Sequence, residues 1–74
     1  LEEVVLSAHC RAEGIQLREL PELGVRVSVV AIKRGSERIW LGPGPDGMLR
    51  GGDRVVAIGD RANLARLADL AQRR

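Results

Sequence analysis

The stretch Val25–Gly35, VRVSVVAIKRG, is the longest β-branched apolar run in the chain. Valine and isoleucine are stiff at χ1 and pack well on a pleated surface, so this run predicts a strand. On a regular strand Val25, Val27, Val29 and Ala31 share one face, and Arg26, Ser28, Val30 and Ile32 the other. The first face is apolar throughout. The second turns apolar only toward Ile32, which predicts a strand that enters at an edge and ends covered on both sides. Lys33-Arg34-Gly35-Ser36 then breaks the pattern with charge and a glycine, the signature of a hairpin turn. A second strand is expected over Glu37–Leu41, and the hairpin is the centre of the predicted fold.

A chain of 74 residues makes one domain and buries only roughly 60–65% of its unfolded surface. Chains of this size lean on disulfides, metals or oligomers. One cysteine rules out an internal disulfide, and one histidine rules out an ordinary Cys/His structural zinc site. Support from a partner surface is the remaining expectation. The net charge of +2 comes from 12 basic and 10 acidic groups, a mixed balance that predicts no nucleic-acid partner. Tyr and Phe are absent, so the stacking platforms of single-strand binders are missing too. No apolar run is long enough for a membrane span, so no direct membrane insertion is expected. The chain opens on Leu1 rather than Met, and the expectation is a piece of a longer protein, with residues 1–74 one regulatory domain. A lone cysteine fits a reducing cytosol.

Before the central strand, Leu1–Ser7 alternates, with Val4 and Leu6 on one face, and reads as the first strand. Ala8–Gly14 loses the period and reads as a connection, with Gly14 a turn glycine. His9 and Cys10 are adjacent, but neighbours on an extended backbone point apart, so they do not make a base and nucleophile. Ile15–Leu20 is predicted as a short helix ended by Pro21, with Ile15, Leu17 and Leu20 packed on the sheet.

After the hairpin, Gly42, Gly44 and Gly47 match G-x-G-x-x-G by spacing. Pro43 and Pro45 remove two amide donors and no helix opens behind them, so a rigid loop is expected rather than a phosphate cradle. Met48 and Leu49 are expected to tuck under the sheet. Gly51-Gly52-Asp53 reads as a turn, Arg54–Ile58 as the last strand, Gly59 as its stop and Asp60 as an N-cap. From Arg61 to Gln72, Leu64, Leu67, Ala68 and Ala71 form one stripe, with Arg66, Asp69 and Arg73 outside. The order is strand, helix, three strands, helix (β-α-β-β-β-α). The fold class is α+β, a small, mostly antiparallel sheet with helices mostly on one face. Gly14, Gly35, Gly52, Asp53, Gly59 and Asp60 are its expected turn and cap residues.

In that order, four segments resemble the TrkA C-terminal (RCK C-terminal) domain family. They are AEGIQLREL at Ala12–Leu20, VVAIKRG at Val29–Gly35, GPDGMLRGGDRVVAIGD at Gly44–Asp60 and LARLADL at Leu64–Leu70. The resemblance implies a non-enzymatic cytosolic regulatory domain, without a cofactor. It implies a homodimer attached to a potassium channel, potassium uptake system or cation/proton antiporter at the inner face of the membrane. It also implies a small effector between the two copies, such as a cyclic dinucleotide. Three positions depart from the family pattern. Gln16 stands at a usual Ser/Thr cap and predicts a looser first helix. Trp40 replaces a small residue. Ser28 stands where cyclic-dinucleotide binders often carry Asn, and no arginine is matched to the family's. Trp40, Arg18 and Ser28 are the candidate dimer or ligand surface, Trp40 with a half-buried edge role as its plainer alternative. A ligand-free dimerisation module is the runner-up, followed by a small nucleic-acid-binding β-domain.

Overall fold

The computed structural model describes residues 1–74. Four strands form one antiparallel sheet: β1 (Glu2–Val5), β2 (Ser28–Arg34), β3 (Arg38–Leu41) and β4 (Arg54–Ile58). Their spatial order is β1-β4-β2-β3, so β1 and β3 are the two edges. A 3-10 helix, Leu17–Leu23, follows β1, and the α-helix α1, Arg61–Gln72, closes the chain. The α+β class, the element order and the antiparallel sheet are as the sequence predicts.

One sheet face carries the core. Val4 pairs with Val55 across β1–β4, and Val55 with Ile32 across β4–β2. Cross-strand partners point to the same side, and all three are buried. Leu64, Leu67 and Ala71 of α1 cover them, with Leu6, Leu20, Val25 and Leu49 filling the margins. Each such side chain contributes roughly 1.5–3 kcal/mol when fully buried.

The central strand departs from its predicted alternation. β2 begins at Ser28, and a bulge lies between Val29 and Ala31. The extra residue, Val30, flips the register, so Val29 and Ile32 oppose Ala57 and Val55 on the core face while Ala31 opposes Val56 on the other. The strand runs on through Arg34, and the turn occupies residues 35–37 with Gly35 at φ 67°.

The short helix also differs from expectation. It is 3-10 rather than α, and Pro21 lies inside it. A 3-10 turn tolerates a missing N–H over so few residues, and termination falls instead to Gly24. That glycine is left-handed at φ 81° and donates to Pro21 O, while the Val25 amide reaches back to Leu20 O. Gln16 does not leave the helix start loose: its amide donates to Glu19 Oε2 at 2.7 Å.

Of the turn and cap residues, Gly14 and Gly52 adopt positive φ as a turn requires. Asp60 accepts from the Asn63 amide at 2.8 Å and starts α1 at the predicted residue. Gly59 is a different case. Its φ is not positive; a Cβ there would stand 2.8 Å from Val27 Cγ1, so glycine is required for close approach. Met48 does not tuck under the sheet as Leu49 does. It bridges Gln16 at the surface and is 44% exposed.

Candidate functional site

Two side-chain constellations stand out, one structural and one shaped as a surface groove. The structural one joins the hairpin to the Gly51-Gly52-Asp53 turn. Asp53 is fully buried. Its Oδ1 accepts from Arg34 Nε at 2.8 Å, and its Oδ2 accepts from Arg34 Nη2 at 2.8 Å and from the Arg50 amide at 2.9 Å. Arg34 Nη2 also donates to Met48 O at 2.9 Å. The charge-assisted hydrogen bonds to Asp53 hold the Arg34 pKa above its ordinary value, against the opposing effect of burial. Trp40 lies over this guanidinium with its ring centroid 4.7 Å away. The predicted role of Asp53 as a turn residue was thus only half of what it does. Trp40 lies on the edge strand β3 and is exposed, at 39%.

The groove lies between the 3-10 helix, β2 and the loop after β3. Leu17, Leu20, Val27 and Val29 form its apolar wall, Gly44 and Pro45 its rim, and Arg18 its one cation. It is about 210 Å³ and open. Arg18 is held by two hydrogen bonds, to Asp46 Oδ1 at 2.9 Å and Gln16 Oε1 at 2.8 Å. The guanidinium therefore has a set direction although it is exposed. Val29, near the start of β2, is half-buried and lines this groove, whereas Ala31 and Ile32 of the same strand are buried.

The three surface candidates do not converge. Arg18 lines the groove. Ser28 lies in a neighbouring depression with Pro21, Arg26, Val27, Ile58 and Gly59, and only Val27 is shared. Trp40 lines a third hollow with Ile32, Arg34, Pro43, Gly47 and Met48. Pro45, expected in a rigid loop, and Val29, expected on the apolar face of the central strand, are groove residues. The Pro-Gly-Pro spacing of Pro43–Pro45 was the available signal, since a stiff loop can hold one wall of a groove.

The family model of the TrkA-C domain matches residues 1–72. The chain belongs to the TrkA-C family. Among solved structures, this TrkA-C domain is similar to an RCK domain with cda, at 31% identity and TM-score 0.74, covering 93% of this chain and 94% of that one. It is similar to the RCK_C domain dimer of S. agalactiae BusR in complex with c-di-AMP, at 25% identity and TM-score 0.73, covering 89% and 87%. S. agalactiae BusR in complex with its busAB-promoter DNA shares the fold at 24% identity and TM-score 0.79; the match covers 99% of this chain but 36% of that one. That neighbour is a DNA complex, so the expectation of no nucleic-acid partner does not extend across the proteins that carry this fold. No curated protein matches the chain.

Proposed function

We propose that this TrkA-C domain is the effector-binding half of a homodimer, and that two Arg18 grooves, one from each copy, share one cyclic dinucleotide. The observation that carries the reading is the groove itself. At about 210 Å³ it is smaller than the roughly 300–1,000 Å³ of a self-sufficient ligand pocket. Doubled across a two-fold axis, it reaches that range. Each groove brings one arginine, and in the pair the two Arg18 side chains would exchange their Asp46 partners for the two phosphates of a two-fold symmetric ligand. The apolar wall of Leu17, Val27 and Val29 suits the base faces. The c-di-AMP complex of the related BusR domain dimer supports the same ligand class. Ser28 and Arg26 border the groove through Val27 and are placed to meet the ligand's rim.

In this reading the domain regulates rather than catalyses. The effector favours the paired arrangement by its differential affinity for it, and the attached parent feels the change. The resemblance favours a parent that is a potassium channel, potassium uptake system or cation/proton antiporter, which would place the domain in the cytoplasm at the inner membrane face. The BusR promoter complex favours a DNA-binding regulator as the second parent class. No helix here is long and apolar enough to cross a membrane.

Calorimetric titration with cyclic di-AMP tests the proposal. The expected result is one ligand per two chains, with affinity lost in Arg18→Ala while folding is retained. No heat from cyclic di-AMP and no thermal shift with other nucleotides would leave a ligand-free dimerisation module as the better account. The sequence flanking residues 1–74 in the parent decides between the parent classes.

A further inference from the structure

Asp46 is the only carboxylate paired with the cation of the groove. Its Oδ1 accepts from Arg18 Nη1 at 2.9 Å, while Arg18 Nη2 donates to Gln16 Oε1 at 2.8 Å. The Arg18 side chain is 59% exposed and that of Asp46 77%. An ion pair this open to water adds little to folding. Its effect on the groove is larger, because the one positive charge that lines the groove is already neutralised.

The backbone around Asp46 is fastened on both sides. The Arg18 amide donates to Pro45 O at 3.0 Å, and the Leu17 amide to Gly47 O at 2.9 Å. Gln16 Nε2 reaches Asp46 O at 3.4 Å, and Gln16 bridges Met48 one turn of the loop further on. Pro43 and Pro45 each fix a φ angle. A Cβ at Gly47 would stand only 3.1 Å from Pro43 Cβ, so the loop closes tightly on itself. The Asp46 carboxylate can swing about χ1, but its Cα stays beside Arg18. Another anion that takes the guanidinium displaces the carboxylate without sending it away.

We propose that Asp46 is a tethered counter-ion that sets the threshold for anion binding at Arg18. A phosphate reaching the guanidinium exchanges one ion pair for another, and the displaced carboxylate stays close enough to repel it. The fold thus holds the affinity down with one fixed negative charge per groove. This rests on the cyclic-dinucleotide reading of the groove and adds its regulation: the effector is taken up only above a concentration that Asp46 sets. Neighbouring carboxylates do not share the role. Glu19 is committed to the Gln16 amide at 2.7 Å, and Glu22 is exposed on the same helix but outside the groove lining.

Calorimetric titration with cyclic di-AMP, at low and at high salt, compares the unaltered chain with Asp46→Asn and Glu22→Gln. Asp46→Asn keeps the shape of the side chain and removes its charge. Relief of an exposed pair, once per copy and so twice per ligand, is expected to tighten binding about two- to thirtyfold at low salt. The gain is expected to fade at high salt, where exposed charges are screened; a purely structural role for Asp46 would give no such salt dependence. Glu22→Gln makes the same change of net charge away from Arg18 and is expected to bind as the unaltered chain does. If the unaltered chain and Asp46→Asn bind equally well, the counter-ion role falls and the ligand reading stands. Equal tightening by Glu22→Gln would also overturn the role, since net charge alone would then be the cause. Binding by Asp46→Asn alone would support both the role and the reading. Binding by neither would overturn the ligand reading and the counter-ion role with it.

Discussion

Arg34 and Asp53 form a two-pronged ion pair, Nε to Oδ1 and Nη2 to Oδ2, both at 2.8 Å. The two ends are unequal: Asp53 is fully buried and the Arg34 side chain is 30% exposed. Removing the arginine strands a carboxylate away from water, whereas removing the carboxylate leaves a cation that can turn outward. Breaking a buried pair costs about 3–5 kcal/mol when the remaining charge is trapped. Arg34→Met is therefore expected to fall near that range. Asp53→Ala is expected to cost less, about 1–3 kcal/mol, mainly for the lost bonds to the Arg50 amide and Arg34. Urea midpoints at constant slope measure both; equal losses, or a larger loss for Asp53→Ala, would contradict the asymmetry.

Asp60 opens α1, and the hydrogen bonds it accepts from the Asn63 amide and side chain lower its pKa below the usual carboxylate value. A carboxyl whose folded pKa is depressed adds stability above its unfolded pKa. That stability is lost as pH falls through the folded value. The cap thus weakens on acidification below about pH 4. Asp60→Asn keeps an acceptor at the cap and is expected to remove this part of the acid dependence with little change at pH 7. Unfolding of the two proteins between neutral and acid pH checks it; parallel curves would show that the cap carboxylate does not contribute.

Cys10 is buried at 6% exposure, and the preceding His9 has φ 61° and reaches Glu13 at 3.8 Å. The thiol is expected to behave as a small core side chain. Its reaction with a thiol-specific dye should be slow in the native protein and rise with urea in step with unfolding. Fast labelling of the native chain would mean that the pocket opens locally or that the thiol is activated.

What the sequence made legible were features with a local cause. The stripe Leu64, Leu67, Ala71 behind an Asp60 cap predicted α1 to its first and last residue, since period and cap are both encoded within one segment. The hidden features depend on partners distant in the chain. The Val30 bulge sits in an unbroken apolar run, where any residue could be the extra one, and it shows only once β4 supplies the register. Asp53 carries an ordinary turn signature, and its arginine lies nineteen residues earlier. The groove escaped for a similar reason: Arg18 was a candidate, but Val29 and Pro45 meet it only after the sheet and the 42–47 loop are in place.

Gly59 gives the sharpest case of a residue whose reason is spatial. A turn glycine with positive φ would be strained by alanine whatever surrounded it; Gly59 has no positive φ, so the cost of a side chain there depends wholly on its neighbour. A Cβ would meet Val27 Cγ1 at 2.8 Å, and a β-branched side chain has few rotamers in which to retreat. Gly59→Ala alone is expected to destabilise by about 1–3 kcal/mol, the usual range for overpacking. In a Val27→Ala background the clashing methyl is gone, and the same substitution is expected to be near neutral. The two changes should therefore couple by about 1 kcal/mol or more in a double-mutant cycle. Additive losses would mean that the strain at Gly59 lies in the backbone and not in its contact with Val27.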